Sequence, residues 1–172
     1  MRIVAIILCG LLVVAVALEM DCPRPEWKKR RANNHCYWFE TDFLPQYKAD
    51  ERCRRYNAKL AKIDDADEND WILKNVFPAT TYIGGGDSSH YYIGLKRTSS
   101  NADSWYWELD GSPLDSVWGG SWKDGEPNNY HNKENCVTYF QDDGKWNDVM
   151  CGDSFHYICE YVIPPPPPTT AP

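Results

Sequence analysis

The seven cysteines constrain this 172-residue chain more than any other feature. Cys9 stands in an N-terminal apolar run, and Arg2 before it and Ala15-Val16-Ala17 after it are typical of a secretory signal peptide over residues 1–17. A membrane anchor is the alternative, but the run is short for a bilayer span of roughly 20 residues. Secretion leaves an even number of cysteines in an oxidising compartment, so we expect three disulfides, with 15 pairings open from spacing alone. The six are Cys22, Cys36, Cys53, Cys136, Cys151 and Cys159.

Two other uses of the chain are disfavoured by composition. There is no C-x-x-C pair and the four histidines are scattered, which argues against a zinc site. The chain has 25 acidic against 18 basic residues, and its one basic run is 28–31. Nucleic acid is therefore not an expected partner.

The order of residue patterns predicts an α+β domain with two helices plus antiparallel sheets and a long loop region. A first helix is expected after Pro45, which suits a first turn, with Asn57 as a left-handed stop. A second is expected within 65–77 before Pro78, where the acidic cluster at 64–70 suits a helix N-terminus better than an EF-hand loop. Strands are expected at 37–39, 91–95, 104–109, 136–140 and 156–162, with turns at Asp110-Gly111 and Asp143-Gly144. Eight tryptophans and eleven tyrosines can supply the core.

The stretch from Ser121 to Cys136, SWKDGEPNNYHNKENC, is the most unusual segment because it holds many side-chain oxygens and almost no aliphatic residue. Carboxylate and amide oxygens in a flexible loop suit calcium, which takes six to eight oxygen ligands. One loop rarely completes such a shell, and Asn147-Asp148 follows the strand 136–140 and a tight turn that would return it to this loop. Five side chains are then candidate metal ligands: Glu126, Asn128, Glu134, Asn147 and Asp148.

Several ordered motifs resemble the C-type lectin domain in its long form. They are YYIGL at 91–95, WYWELDGSPL at 105–114, EPN at 126–128, ENC at 134–136 and WND at 146–148. The resemblance extends from residue 22 to 163, which implies a disulfide-bonded carbohydrate-recognition domain followed by a Pro/Thr-rich tail at 164–172. By the same analogy the bridges are Cys22-Cys36, Cys53-Cys159 and Cys136-Cys151, and Pro127 follows a cis peptide bond.

The resemblance also implies how such a site would work. Two vicinal hydroxyls of a hexose complete the calcium shell and hydrogen-bond to the side chains that hold the metal. Glu126 and Asn128 then present an acceptor and a donor in the order associated with mannose-type sugars, and Glu134 with Asn147 presents the matching pair. Tyr130 is placed to touch the sugar, although a plain exposed loop role is an equal alternative. Trp105, Trp107, Trp118, Trp122 and Trp146 are expected to pack in and around the core.

One calcium ion is expected, and an auxiliary second ion is doubtful. Acidic residues that would hold it in related lectins are replaced by 96–101 (KRTSSN), and by Asn129 and Asn135 in the loop. Without metal, the loop carboxylates would repel one another and loosen the loop.

The sequence thus predicts a secreted, calcium-dependent lectin for mannose-type glycans on glycoproteins or cell surfaces, without nucleic-acid binding or membrane insertion. The runner-up is a C-type lectin-like domain that binds a protein or another non-sugar surface. An enzyme is the weakest alternative, because Glu126 and Glu134 would both be occupied by metal and no nucleophile motif occurs.

Overall fold

The computed structural model describes residues 21–77, 89–98 and 104–166, together with two short paired strands, β1 (Ile6–Leu8) and β2 (Leu11–Val13). The rest of the predicted signal peptide, Pro78, residues 99–101 and the tail beyond 166 lie outside the described residues. In the described part of the chain, no helix has the length and apolar character needed to cross a membrane.

The remaining elements alternate between strands and two helices. The helices are α1 (Gln46–Arg54) and α2 (Ala66–Asn75), and a short 3-10 turn covers Tyr130–Asn132. The strands are β3 (Lys28–Arg30), β4 (His35–Leu44), β5 (Lys59–Leu60), β6 (His90–Arg97), β7 (Trp105–Trp107), β8 (Cys136–Phe140), β9 (Trp146–Val149) and β10 (Phe155–Val162).

Both helices begin where the sequence predicts. Pro45 stands immediately before α1, and Asn57 beyond its end has a φ of 54°. At the start of α2, the Asp65 side chain accepts a hydrogen bond of 2.7 Å from the Glu68 backbone N–H. The acidic cluster is therefore a helix cap, as its charge indicated.

The sheet contains the predicted antiparallel pairs and, in addition, one parallel pair that the sequence did not indicate. Its order is β3-β4-β10-β6-β8-β9, with β5 paired to β10 and β7 to β6. The pairs β10/β4 and β6/β8 are antiparallel, whereas β10 and β6 are parallel. The physical reason is the long connection between β6 and β10, since parallel neighbours need a crossover and cannot be joined by a hairpin.

Aromatic side chains fill the interior below the loop region. Trp107 and Trp146 are 1% and 0% exposed, and their rings meet edge to face. Trp105 is buried, while Trp118 and Trp122 are partly buried against Trp146, so these tryptophans pack as the sequence predicts.

Three disulfides tie these layers together. They join Cys22 to Cys36, Cys53 to Cys159 and Cys136 to Cys151, the pairing implied by the resemblance. Cys53–Cys159 links α1 to β10, and Cys136–Cys151 closes the β8–β9 hairpin. The hairpin turn uses Gly144, whose φ is 70°.

Candidate functional site

The oxygen-rich loop at 126–135 folds back onto β9. The β8–β9 hairpin returns the chain so that Asp148 meets the loop backbone. Asp148 Oδ1 accepts a hydrogen bond from the Asn128 N–H at 3.0 Å, and Oδ2 accepts one from the Asn129 N–H at 2.9 Å. The two sequence segments predicted to build one site are therefore in direct contact.

The Glu126–Pro127 peptide bond is cis, and the side chains on either side of Pro127 lie together. Asn128 donates from its backbone N–H to Glu126 Oε2 at 3.0 Å and from its side-chain Nδ2 to Glu126 Oε1 at 2.9 Å. A carboxylate acceptor and an amide donor consequently stand side by side at the loop surface.

The second half of the loop turns Glu134 back over the same surface. Asn129, His131 and Asn132 have φ values of 48°, 54° and 56°, in the left-handed region that asparagine tolerates better than most residues. Glu134 Oε2 accepts from the Tyr130 N–H at 2.7 Å, and the Glu134 N–H donates to Asn129 Oδ1 at 3.2 Å. Asn129 and Asn132 thus serve the loop backbone.

Arg97 lies beneath the loop, and sequence reasoning missed its role. Its Nη2 donates to Asp148 Oδ2 at 2.5 Å, and its Nε donates to the Glu134 backbone carbonyl at 2.9 Å. Arg97 was counted in the sequence only as a basic residue in place of an acid. Its place at the end of the predicted strand 91–95, beside the candidate site in this family, is the signal that could have identified it.

Burial and mutual repulsion raise the pKa values of two carboxylates of the site, Glu126 and Glu134. Burial raises the pKa of Glu126, and a hydrogen bond and the charge of Asp148 raise it further. Burial also raises the pKa of Glu134, with repulsion from Asp148 adding to the effect, although the Tyr130 N–H and Arg97 oppose it. A divalent cation would relieve this repulsion, since metal ligation favours the deprotonated carboxylates.

The side-chain oxygens of the candidate ligands fit calcium, because several of them have lone pairs that no hydrogen-bond donor of the described residues occupies. Asn147 Oδ1 is buried and has no hydrogen-bond donor among the described residues. Three donors use three of the four lone-pair directions of Asp148, which leaves one for a metal. Glu126 and Glu134 keep further lone pairs. Hard oxygen ligands of this kind suit calcium rather than a soft metal.

A metal at this site would need the amide oxygens as well as the carboxylates. Within the described ranges 21–77, 89–98 and 104–166, no cluster of three or more His, Cys, Asp or Glu side chains is placed to hold a metal ion. The proposed calcium shell therefore depends on the amide oxygens of Asn128 and Asn147 as well as on the carboxylates.

Tyr130 joins this network through its backbone N–H, while its side chain projects away from the loop. Its side chain is 64% exposed, and its ring centroid lies 4.0 Å from that of His131. Trp146, by contrast, is fully buried next to Asn147 in the chain and packs beneath the site, as predicted.

Comparison with known proteins places this arrangement in one family. The family model of the Lectin C-type domain matches residues 44–161. A perlucin-like protein of Mytilus galloprovincialis is 31% identical over 142 residues, which are 81% of this chain and 83% of the relative. Asialoglycoprotein receptor 1 of Mus musculus is 28% identical over 147 residues, which are 83% of this chain but 45% of the receptor.

Solved structures agree with the sequence comparison. The mouse scavenger receptor C-type lectin carbohydrate-recognition domain has a TM-score of 0.65 and 29% identity, covering 81% of this chain and 97% of that domain. The cow CD23 carbohydrate-recognition domain, solved in the presence of a GlcNAc2Man3 oligosaccharide, has a TM-score of 0.65 and 26% identity, covering 81% and 95%. The asialoglycoprotein receptor is named as a receptor and the mouse scavenger receptor domain as a lectin, and none of the four names is that of an enzyme. With a family model that matches well over half of its length, the chain belongs to the C-type lectin domain family.

Proposed function

We propose that this chain is a secreted, calcium-dependent lectin that binds mannose-type hexoses through vicinal equatorial hydroxyls. The observation that carries the proposal is the contact between the two segments, in which Asp148 accepts hydrogen bonds from the Asn128 and Asn129 N–H groups, together with the buried Asn147 Oδ1, which has no donor among the described residues. The proposed ligands of one calcium ion, and of the sugar, are Glu126, Asn128, Glu134, Asn147 and Asp148. Secretion rests on the predicted signal peptide at 1–17.

Each side chain has a distinct part in the proposed site. Calcium, when bound, supplies the positive charge that attracts two sugar hydroxyl oxygens. Glu126 accepts a hydrogen bond from one hydroxyl, and the Asn128 amide donates a hydrogen bond to the oxygen of the same hydroxyl. Glu134 and Asn147 form the matching acceptor and donor for the other hydroxyl. Asp148 holds the loop backbone through Asn128 and Asn129, and Tyr130 offers an exposed ring at the edge of the sugar.

Two structural relatives support a glycan as the ligand. The cow CD23 domain was solved in the presence of GlcNAc2Man3, and a murine dendritic cell inhibitory receptor 2 domain was solved in complex with an N-glycan. Both are 26% identical to this chain. Mannose-type glycans on glycoproteins or cell surfaces are the partners that we propose.

Retention on immobilised mannose tests the proposal most directly. Wild-type protein should be retained in calcium and released by a chelator, because the chelator removes the ion that bridges protein and sugar. Glu134→Gln should lose retention, whereas Glu51→Gln, the same change on an exposed face of α1, should keep it. Retention that survives chelation, or none in calcium, would contradict the lectin proposal and favour the alternative, a domain that binds a protein or another non-sugar surface.

Sugar preference tests the acceptor and donor order. The double change Glu126→Gln with Asn128→Asp exchanges the two side-chain types across Pro127. The internal hydrogen bond of 2.9 Å between them can re-form in the opposite sense, so the loop should remain folded. We expect preference to move from mannose toward galactose in competition assays. An unchanged preference for mannose would show that this pair does not set specificity.

A further inference from the structure

Arg97 is buried under the loop that carries the proposed ligands. It is 8% exposed, ends β6, and its guanidinium lies over the Trp105 ring at 4.2 Å from the centroid. From there it donates to Asp148 Oδ2 at 2.5 Å and to the Glu134 carbonyl at 2.9 Å. One side chain therefore contacts both the strand and the loop of the site.

We propose that Arg97 is a positioning residue that acts as a permanent cation and keeps the loop in its binding geometry in the absence of metal. The proposal rests on the proposed function for the identity of the ligands, since Arg97 would act through Asp148 and the loop backbone. It touches neither sugar nor calcium.

The first half of the loop depends on Arg97 through Asp148. Asp148 is fully buried, and a buried carboxylate needs a nearby cation because desolvation disfavours its charge. Held by Arg97, its two oxygens accept the Asn128 and Asn129 N–H groups at 3.0 and 2.9 Å. The guanidinium, the carboxylate and two backbone amides thus form one continuous chain of charge-assisted hydrogen bonds.

The second half depends on Arg97 directly. Nε donates to the Glu134 carbonyl, and the Arg97 backbone N–H donates to the Asn135 carbonyl at 3.0 Å. A planar guanidinium can serve the carboxylate and the carbonyl at once, whereas an ammonium is a single point of charge. Arginine at this position is therefore not equivalent to lysine.

This arrangement changes the expectation for the metal-free protein. The charges of Glu126, Glu134 and Asp148 alone predict a loop that loosens when calcium leaves. Arg97 offsets the most buried of these charges without any metal, and its own charge disfavours a further cation beneath the loop. Calcium then binds to a loop that is already formed, which removes an ordering cost from binding.

Amide hydrogen exchange of the full chain in a chelator tests the proposal, with Asn128 and Asn129 as the reporting amides. In wild type both should be protected without calcium. Arg97→Met should speed their exchange by at least about tenfold, because exchange reports local opening. Arg97→Lys should give intermediate protection. Lys96→Met is the matched control, since Lys96 is on the same strand but pairs with Glu108 at 2.9 Å, and it should leave both amides unchanged.

Two results would overturn the proposal: wild-type amides that are unprotected until calcium is added, or Arg97→Met amides as slow as wild type in the chelator. If Arg97→Met does not fold, Arg97→Lys decides, because wild-type exchange in that variant contradicts the need for a guanidinium. No sugar or metal is present in these measurements. A failure of mannose retention therefore leaves their outcome readable, and the two proposals can fail separately.

Discussion

Two groups of acidic side chains differ in how completely their oxygens are used. The first, here called the base cluster, consists of Arg30, His35, Tyr37, Glu68 and Glu160. The second is the proposed site around Glu126, Glu134 and Asp148. Both combine carboxylates with a basic residue, yet only the base cluster is closed on itself.

In the base cluster every carboxylate oxygen has a partner. Glu160 Oε1 lies 2.5 Å from His35 Nδ1, and Oε2 accepts the Lys62 N–H at 2.7 Å. The Tyr37 hydroxyl lies between the two acids, 2.5 Å from Glu68 Oε1 and 3.1 Å from Glu160 Oε1. Glu68 Oε2 accepts the Asp64 N–H at 2.8 Å.

In the proposed site, by contrast, not every side-chain oxygen has a hydrogen-bond partner among the described residues. Asn147 Oδ1 has no donor among the described residues, and Glu126 and Glu134 are only partly buried and have raised pKa values. A buried cluster in which every charged group has a partner holds elements of the fold together. Removing one side chain of such a cluster leaves its partner buried and uncompensated. Open charge at a surface loop is available to a ligand. The comparison therefore separates acids that stabilise the domain from acids that we propose bind a ligand.

Glu160→Ala should have the largest effect on stability. It leaves His35 and the Lys62 N–H without their acceptor in a buried setting, and we expect a loss of about 3–5 kcal/mol in the free energy of unfolding. Urea unfolding should give the same loss in calcium and in chelator, since the base cluster is separate from the loop. Glu51→Ala on the exposed face of α1 is the control. A loss seen only with calcium would break the distinction between the two groups.

The addition of calcium should give the next largest change in the free energy of unfolding. This change should depend on the proposed ligands and not on the base cluster. At 100 times its dissociation constant, a ligand that binds only the folded state adds about 2.7 kcal/mol to the free energy of unfolding. Glu134→Gln should abolish this gain in urea unfolding. It should not lower stability in chelator, because it removes a repelled charge. If the Glu134→Gln variant has a lower free energy of unfolding than wild type in chelator, Glu134 also stabilises the fold.

Raising the pH should weaken the base cluster by a smaller amount. The hydrogen bond to Glu160 raises the pKa of His35 above 6.5, and the charges of Glu160, Glu68 and Asp64 add to this. A raised histidine pKa stabilises the folded state below the unfolded value of 6.5, and that stability is lost as the pH rises through the folded pKa. Urea unfolding from pH 6 upward should show the decline. Glu160→Gln should flatten it, and an equal slope in that variant would contradict the pairing.

Tyr130→Ala should have the smallest effect. Because the ring is 64% exposed, we expect mannose affinity to fall no more than about threefold, which is under 1 kcal/mol. The free energy of unfolding should not change. Tyr47→Ala removes a tyrosine of equal exposure from α1 and should leave the affinity intact. Titration calorimetry measures both. A loss of tenfold or more would make Tyr130 a principal contact of the sugar.

Local signals allowed much of the fold to be predicted. Pro45, Asn57 and Asp65 mark helix ends through their own backbone preferences, and alternating aromatic runs mark the strands. The loop and the Asn147-Asp148 pair were predicted to meet because a tight turn between two strands returns the chain on itself. Each of these inferences depends on neighbours in sequence.

The missed features depend on distant residues. His35 and Glu160 are 125 residues apart, and no local pattern brings them together. The parallel pairing of β6 with β10 likewise follows from the whole crossover and not from either strand. Arg97 was seen as a substitution, since its contacts with Asp148 and Glu134 exist only once β6, β9 and the loop are packed.

The Cys53–Cys159 bridge has a mechanical consequence. It closes a covalent ring of chain with a sequence separation of 106, and every proposed ligand from 126 to 148 lies inside that ring. Tension applied at the two ends of the domain can peel β4 away from β10. The force then reaches the Cys53–Cys159 bridge and is transmitted through the disulfide from α1 to β10. The chain between these two cysteines is therefore not extended. Pulling the domain by its ends would therefore strain β4 before it strained the segment that holds the proposed site.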